Sequence, residues 1–184
     1  MRAIPHLISV FRLLCSPAIV WLLGSQRYRS ALALVVLAGV SDWLDGYAAR
    51  RLKVDGRLGV ILDPLADKVL LVTLFLTLGI LRLIPLWMLW LVLGRDLVIV
   101  IGAFLVRIFR GIRKFLPTTL GKVSTFFQIV LVLLTLADAA FPSFVLFWLK
   151  MTALVLCALF TTWSGLDYVR IGIAMARRRI VAVS

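Results

Sequence analysis

The sequence predicts an all-α integral membrane protein, built as a bundle of six transmembrane helices. Three observations predict it: 63% of the 184 residues are hydrophobic, only 16% are charged, and the mean hydropathy is +1.10. A soluble domain of this size has far less apolar excess. At about 20 residues per span, the chain has room for roughly six spans. We therefore expect residues 1–184 to form a single membrane domain.

Six apolar stretches supply the expected helices. In chain order they are Leu7 to Gly24, Ala31 to Ala49, Gly59 to Leu83, Pro85 to Val106, Leu120 to Ala140 and Phe144 to Tyr168. A chain in hydrocarbon must satisfy its backbone hydrogen bonds internally, and these stretches lack the alternation typical of membrane β-strands. Because Arg12 interrupts the first stretch, we expect a retained helix there and no cleaved signal peptide.

Basic residues are concentrated in three segments that follow the second, fourth and sixth stretches. The segments contain Arg50, Arg51, Lys53 and Arg57; Arg107, Arg110, Arg113 and Lys114; and Arg170, Arg177, Arg178 and Arg179. The positive-inside rule places all three segments and both termini in the cytoplasm. We expect a bacterial inner membrane protein, with Trp87, Trp90 and Trp148 as anchors at the outer interface.

The charge balance is strongly basic, with 21 Lys and Arg against 8 acids, all of them Asp, and a net charge of +13. The basic residues lie between apolar stretches, so the expected partner is an anionic membrane surface or a phosphate-bearing substrate. Nucleic-acid binding is not expected, since the sequence offers no soluble recognition module. Cys15 and Cys157 lie in apolar stretches without metal-ligand spacing and should be buried hydrophobes.

Four of the aspartates form a pattern across the second and third stretches. Asp42 and Asp45 are spaced i, i+3 at the end of the second helix. Asp63 and Asp67 are spaced i, i+4 near the start of the third. Each pair therefore faces one way on its helix. A hairpin that turns near Val54 to Arg57 would bring both pairs into one carboxylate cluster at the membrane boundary.

Four ionised carboxylates in a low dielectric repel one another, so they must bind protons or cations. Oxygen ligands without His or Cys favour Mg²⁺, Mn²⁺ or Ca²⁺ over zinc, and two ions would balance four charges. One alternative is a surface ion-pair network with Arg50, Arg51, Arg57 and Lys68. A non-enzymatic transporter that binds cations is another, although repeated halves are not visible.

Small residues near Asp45 leave room for a substrate to approach the backbone. They are Gly46, Ala49 and Gly59, for which close helix packing is the alternative explanation. Arg50 follows them at a position where its guanidinium could hold a phosphate oxygen in bidentate fashion.

Together these residues resemble the signature of the CDP-alcohol phosphatidyltransferase family. The eight matching positions, at the family's spacing, are Asp42, Asp45, Gly46, Ala49, Arg50, Gly59, Asp63 and Asp67. Eight fixed positions are far more specific than a short motif. The resemblance extends to Ile4, Pro5, Ser9, Arg12 and Pro17, the run from Asp63 to Lys68, Arg95 with Asp96, and Gly121, Lys122, Thr125 and Gln128. His6 departs from the family, which often places Asn after the proline.

The resemblance implies a six-helix membrane enzyme, usually a homodimer, that transfers a phosphatidyl group from a CDP-linked lipid to an alcohol and releases CMP. It implies two divalent ions, Mg²⁺ or Mn²⁺, that hold the pyrophosphate. The implied metal ligands are Asp42, Asp45, Asp63 and Asp67. Asp67 would also be the catalytic base that takes the acceptor's hydroxyl proton. The cytidine diphosphate site would be lined by Asp45, Gly46, Ala49, Arg50 and Gly59.

A second basic set, outside the signature, bears on the acceptor. Arg95 lies beside Asp96 in the fourth stretch, Lys122 opens the fifth, and Arg107 precedes the connection between them. A charge inside the membrane indicates a function, although Arg95 could instead pair with a signature aspartate. The set suits an acceptor that carries a phosphate. We therefore expect CDP-diacylglycerol to react with glycerol 3-phosphate, as in phosphatidylglycerophosphate synthases.

Phosphatidylglycerol is the alternative acceptor. The Arg95–Asp96 pair and the run from Lys122 to Thr125 are somewhat more similar to those of the cardiolipin synthases that form CMP. An inositol phosphate acceptor is a more remote alternative, because it also needs a basic phosphate pocket.

Overall fold

The structure is a computed structural model that describes residues 15–52, 59–110 and 119–181, with side chains described over 15–41, 68–102 and 119–171. Within these ranges every regular element is an α-helix, which confirms the predicted all-helical fold class. The N-terminal motif with His6, and the turn expected near Val54 to Arg57, lie outside the described residues.

Six helical segments follow one another along the chain. They are α1 (Cys15–Gly24), α2 (Tyr28–Leu52), α3 (Gly59–Ile80), α4 (Leu86–Arg110), α5 (Thr119–Ala140) and α6 (Phe144–Val181). Several helix ends differ from the predicted stretches: α3 ends before Leu83, while α2 continues beyond Ala49, α4 beyond Val106 and α6 well beyond Tyr168. Arginine is a good helix former, so the basic run after the sixth stretch prolongs the helix, while hydropathy registers only its polarity.

Two helices in the described part of the chain are long and apolar enough to cross a membrane. They are Thr119–Ala140 and Phe144–Ile171, with hydropathies of 1.9 and 2.1. Shorter apolar helical segments are Cys15–Gly24, Tyr28–Ser41 and Lys68–Ile80. The two long spans agree with the predicted membrane protein, and the count of six spans stays a prediction.

The described residues divide into two compact units. The first contains α1, α2 and α3 together with Val132–Lys150. The second contains Pro85–Leu131 and the chain from Met151 onward. In the first unit the buried core includes Ile19, Leu23, Phe75, Leu78 and Leu136; in the second it includes Met88, Val92, Leu131 and Leu154. Cys15 and Cys157 are buried free thiols, as predicted.

In the first unit, α1 and α3 each end in a left-handed residue that is not glycine. Arg82 has φ 59°, and Gln26 has φ 57°. At the end of α3, the Leu83 N–H donates to the Leu78 carbonyl at 2.9 Å and the Arg82 N–H donates to the Gly79 carbonyl at 3.1 Å. This pairing is a Schellman cap, which satisfies carbonyl groups that the helix leaves open. It explains why α3 ends before the apolar sequence does.

Polar contacts in the first unit join the ends of three helices. The Ser143 hydroxyl accepts the N–H of Leu146 at 3.2 Å and caps the start of α6. Lys150 of α6 forms a partly buried ion pair with Asp138 of α5. The Nε atom of Arg29, in the first turn of α2, donates to the Ala140 carbonyl at 3.3 Å. The α1–α2 and α5–α6 connections therefore lie side by side.

Candidate active site

The signature positions lie on α2 and α3. Asp42 and Asp45 fall in the second half of α2, and Asp63 and Asp67 fall in the first turns of α3. Both helices are continuous through these positions, and helical spacings of three and four residues are those on which the predicted pairing rests. The connection between the two helices, residues 53–58, lies outside the described residues.

The side chains of the signature residues lie outside the part of the structure whose side chains are described. This applies to Asp42, Asp45, Gly46, Ala49, Arg50, Gly59, Asp63 and Asp67. Their assignments as metal ligands, cytidine diphosphate contacts and base therefore stay predictions. Among the residues whose side chains are described, no three His, Cys, Asp or Glu side chains come together as a metal ion would need.

In the second unit, the guanidinium of Arg95 lies at the centre of a buried polar cluster. Its Nη1 donates to Asp96 Oδ1 at 2.9 Å, and the residue is only 8% exposed. Its Nη2 donates to Ser164 Oγ at 3.1 Å and to the Gly121 carbonyl at 3.3 Å. The ring of Tyr168 packs beside it, 5.9 Å from the guanidinium carbon. Arg95 thus connects α4 to both α5 and α6.

This arrangement bears on the two roles considered for Arg95. The ion pair is with its neighbour Asp96, and the remaining described bonds are to a serine hydroxyl and a backbone carbonyl. A buried guanidinium needs several acceptors to offset its desolvation, and these three groups supply them. The geometry therefore gives Arg95 a structural task, in addition to the acceptor binding that the sequence predicts.

A second polar contact joins α5 to α6 one turn along α5 from Gly121. The hydroxyls of Ser124 and Thr161 lie 3.1 Å apart, both fully buried. The rings of Phe127 and Phe160 stack next to them at 4.8 Å between centroids. Residue numbers rise along α5 as they fall along α6, so the two helices pack antiparallel here.

The buried positions of both helices follow the alternating three-and-four spacing of a helix-packing seam. On α5 they are Gly121, Ser124, Gln128 and Leu131; on α6 they are Leu154, Cys157, Thr161, Ser164 and Tyr168. Small and hydroxylated side chains allow close approach of helices in a membrane. The packing role of Ser124, Thr161 and Ser164 was not predicted from the sequence, although this spacing of small polar residues within apolar helices indicates it.

Gln128 lies one turn further along the same seam. It is fully buried, and within the described part of the chain neither its amide oxygen nor its amide nitrogen has a hydrogen-bond partner. Gln128 is one turn beyond Ser124 on α5, and Cys157 is one turn before Thr161 on α6. Because Ser124 and Thr161 are in contact, Gln128 lies level with Cys157. The Cys157 sulfur in turn lies 3.9 Å from the Thr161 hydroxyl oxygen.

Of the other two predicted acceptor residues, the structure describes the side chain of Lys122 and only the backbone of Arg107. Lys122 is exposed in the first turns of α5, directly after the Gly121 carbonyl that Arg95 holds. Arg107 lies in the last turn of α4, and its side chain is outside the described part. The predicted interfacial anchors Trp87, Trp90 and Trp148 are all exposed near the starts of α4 and α6.

The family model described as CDP-alcohol phosphatidyltransferase matches residues 2–163. A CDP-diacylglycerol–glycerol-3-phosphate 3-phosphatidyltransferase of Aquifex aeolicus is 42% identical over 132 residues, which are 67% of this chain and 70% of that protein.

Two further relatives have cardiolipin synthase in their names. A putative cardiolipin synthase of Mycobacterium tuberculosis is 36% identical over 67% of this chain and 59% of its own length. A cardiolipin synthase (CMP-forming) of Rattus norvegicus is 34% identical over 75% of this chain and 51% of its own length. The chain thus spans only between half and seven tenths of these relatives. Since the family model covers most of the chain, this protein belongs to the CDP-alcohol phosphatidyltransferase family.

Proposed function

We propose that this protein transfers a phosphatidyl group from CDP-diacylglycerol to glycerol 3-phosphate and releases CMP. The observation that carries the proposal is the 42% identity to a relative named for this reaction. The signature on two continuous helices, unbroken in the sequence, supports the transfer chemistry. Phosphatidylglycerol is the competing acceptor, because relatives named cardiolipin synthase match at 36% and 34% identity.

The donor set suits a hard divalent cation. Four aspartates occupy the signature positions of α2 and α3, without a histidine or cysteine among them, and carboxylate oxygens are the ligands that Mg²⁺ and Mn²⁺ prefer. We propose that Asp42, Asp45, Asp63 and Asp67 hold two such ions. When bound, the ions would neutralise charge on the pyrophosphate and on the departing CMP.

The chain's own residues have separate tasks in the proposed transfer. Asp67 accepts the proton of the acceptor hydroxyl, whose oxygen forms a bond to the phosphorus that carries the diacylglycerol group. The bond from that phosphorus to the CMP oxygen breaks, and CMP leaves. Arg50 holds a phosphate oxygen of the donor through its guanidinium fork. Asp45, Gly46, Ala49 and Gly59 line the remainder of the cytidine diphosphate site.

The acceptor's phosphate is proposed to contact basic residues of α4 and α5. Lys122 is exposed at the start of α5, which suits a ligand for a soluble phosphate. Arg107, in the last turn of α4, is the second proposed contact. For Arg95 we propose either direct contact with the acceptor or control of Lys122 through the Gly121 carbonyl, and the two roles are separable by experiment.

The proposed setting is a bacterial inner membrane crossed by six spans, with both termini and the signature residues on the cytoplasmic side. The two long apolar helices and the bacterial relatives support this placement. We further propose that the protein acts as a homodimer, as the resemblance to its family implies.

The direct test is CMP release by purified protein in detergent with CDP-diacylglycerol and Mg²⁺ or Mn²⁺. Glycerol 3-phosphate, phosphatidylglycerol and inositol phosphate are added in separate reactions, and the lipid product is identified. Phosphatidylglycerophosphate from glycerol 3-phosphate alone is the expected result. Cardiolipin from phosphatidylglycerol alone would assign the competing function. Lack of turnover after chelation of divalent ions, restored by Mg²⁺ or Mn²⁺, would support the metal proposal.

A variant of the proposed base separates an enzyme from a cation carrier. Asp67→Asn should lower the rate of CMP release by about 10²–10⁴-fold, the contribution typical of a general base, with little effect on folding. Asp167→Asn in α6 is the matched control, since Asp167 is only half-buried and lies outside the signature. Retained turnover in Asp67→Asn would contradict the assigned base.

A further inference from the structure

An open groove runs along α6 in the second unit. It encloses about 600 Å³ and is lined by Trp87 and Leu91 of α4 and by Leu159, Trp163, Leu166 and Arg170 of α6. Four of these apolar side chains, those of Trp87, Leu159, Trp163 and Leu166, expose more than half of their surface. The lining is apolar along its length and carries a positive charge at one end.

The dimensions of the groove match one leaflet of a bilayer. Its lining on α6 runs from Ala158 to Arg170, a rise of about 18 Å at 1.5 Å per residue. Half of a hydrocarbon core of about 30 Å is about 15 Å. This part of α6 belongs to the candidate span Phe144–Ile171, and Arg170 is the last residue but one of that span. In the proposed membrane setting the groove would face hydrocarbon and Arg170 would lie near the headgroups. A single extended acyl chain fits this space.

The positive charge of Arg170 at the end of the groove favours an anionic lipid headgroup. Arg170 is exposed at the end of the groove, and the ion pairs formed among the described residues do not include it. Asp167, one turn earlier on α6, is not part of the lining. A guanidinium binds phosphate oxygens through a planar fork of donors, and basic residues at a membrane surface favour anionic lipids.

We propose that this groove binds one anionic glycerophospholipid of the surrounding membrane. One acyl chain lies along Leu159, Trp163 and Leu166, and the lipid phosphate contacts the guanidinium of Arg170. The site is independent of the proposed transferase reaction, because it requires neither the signature residues nor a CDP-linked donor. Failure of one proposal therefore leaves the other intact.

The test uses quenching of tryptophan fluorescence by lipids with brominated acyl chains. The full-length protein is placed in phosphatidylcholine vesicles that contain a small fraction of brominated phosphatidylserine or, separately, the same fraction of brominated phosphatidylcholine. Phosphatidylserine is anionic and is neither the proposed donor nor a proposed acceptor. The signal of Trp163 is the difference between the native protein and Trp163→Phe.

We expect Trp163 to show about a fivefold preference for the phosphatidylserine quencher, the size typical of one arginine beside one lipid phosphate. Arg170→Gln should abolish the preference and Arg170→Lys should keep most of it. Arg82→Gln is the matched control, because Arg82 is an exposed arginine outside the groove and its loss should change nothing.

Two results would overturn the proposal. Equal quenching of Trp163 by both lipids would show that the groove contacts bulk lipid without selecting a charge. Protection of Trp163 from both lipids would show that something else covers the groove, and cross-linking between single cysteines placed at Leu159 would then identify a second copy of the chain. Monodisperse elution of each variant in detergent verifies that a lost preference does not result from misfolding.

Discussion

The hydroxyl oxygens of Ser124 and Thr161 lie 3.1 Å apart in the buried seam between α5 and α6. Both residues are fully buried, and hydrocarbon offers no competing hydrogen-bond partner. Removal of one hydroxyl takes this hydrogen bond from the other, although Thr161 keeps its longer contact with the Cys157 sulfur at 3.9 Å. Removal of both hydroxyls leaves an apolar contact.

This relationship predicts a non-additive pair of substitutions. Ser124→Ala and Thr161→Val should each lower the free energy of unfolding by about 0.5–2 kcal/mol, and the double variant should lower it by less than the sum. Unfolding in detergent measures all three values. Thr162→Val is the control, because Thr162 is exposed and its hydroxyl bonds only to its own helix at the Ala158 carbonyl. Additive losses would show that the two hydroxyls are not coupled.

The contacts of Arg95 predict a large effect on stability. Arg95→Gln removes the ion pair with Asp96 and the links to Ser164 and Gly121, so we expect a loss of about 3–5 kcal/mol. Ser164→Ala, which removes one acceptor, should cost about 1–3 kcal/mol. Unfolding in detergent distinguishes these values from that of Arg170→Gln, an exposed control. Unchanged stability with a raised acceptor KM would instead assign Arg95 to direct acceptor binding.

Lys122 should affect the acceptor and leave the donor unaffected. Lys122→Gln removes a mobile charge that we propose contacts the acceptor phosphate, so KM for glycerol 3-phosphate should rise about tenfold, equivalent to about 1.4 kcal/mol. The KM for CDP-diacylglycerol and the stability should stay the same, because Lys122 is exposed. Initial rates of CMP release at varied concentrations of each substrate measure both constants. A change confined to the donor KM would contradict the assignment.

The left-handed end of α3 predicts a stabilising substitution. Arg82 has φ 59°, a conformation that costs a residue with a Cβ atom about 1–2 kcal/mol relative to glycine. Part of this gain is offset by the greater backbone entropy of glycine in the unfolded chain. We expect Arg82→Gly to raise the free energy of unfolding by about 0.5–1 kcal/mol in detergent. Ser25→Gly is the control, because Ser25 lies in the α1–α2 connection and has no positive φ, so it should produce no gain.

Hydropathy predicted where the helices lie, because burial in hydrocarbon requires a long apolar run and little else. It did not predict the ends at Ile80 and Val181. The first depends on a left-handed arginine where glycine is usual, and the second continues through charged residues that form helix well. The family signature was readable because its eight positions have fixed spacing within two neighbouring helices.

The sequence did not predict the partners of Arg95. A charge in the fourth apolar stretch predicted a functional side chain. Its partner Ser164 lies 69 residues further along the chain, and the packing of α4 on α6 brings the two together. Gln128 is similar. Its place in the motif was visible in the sequence, whereas its burial without a hydrogen-bond partner depends on the seam between α5 and α6.

The short connection between α5 and α6 constrains how the protein is made. Only residues 141–143 separate the two helices, and Lys150 pairs with Asp138 across the hairpin. With α5 and α6 crossing the bilayer as in the proposed six-span topology, the short connection would hold the chain before Thr119 and the chain after Ile171 on one side. Arg107 and Arg170 would then lie on the same side, so an inverted hairpin would have to carry both across the membrane.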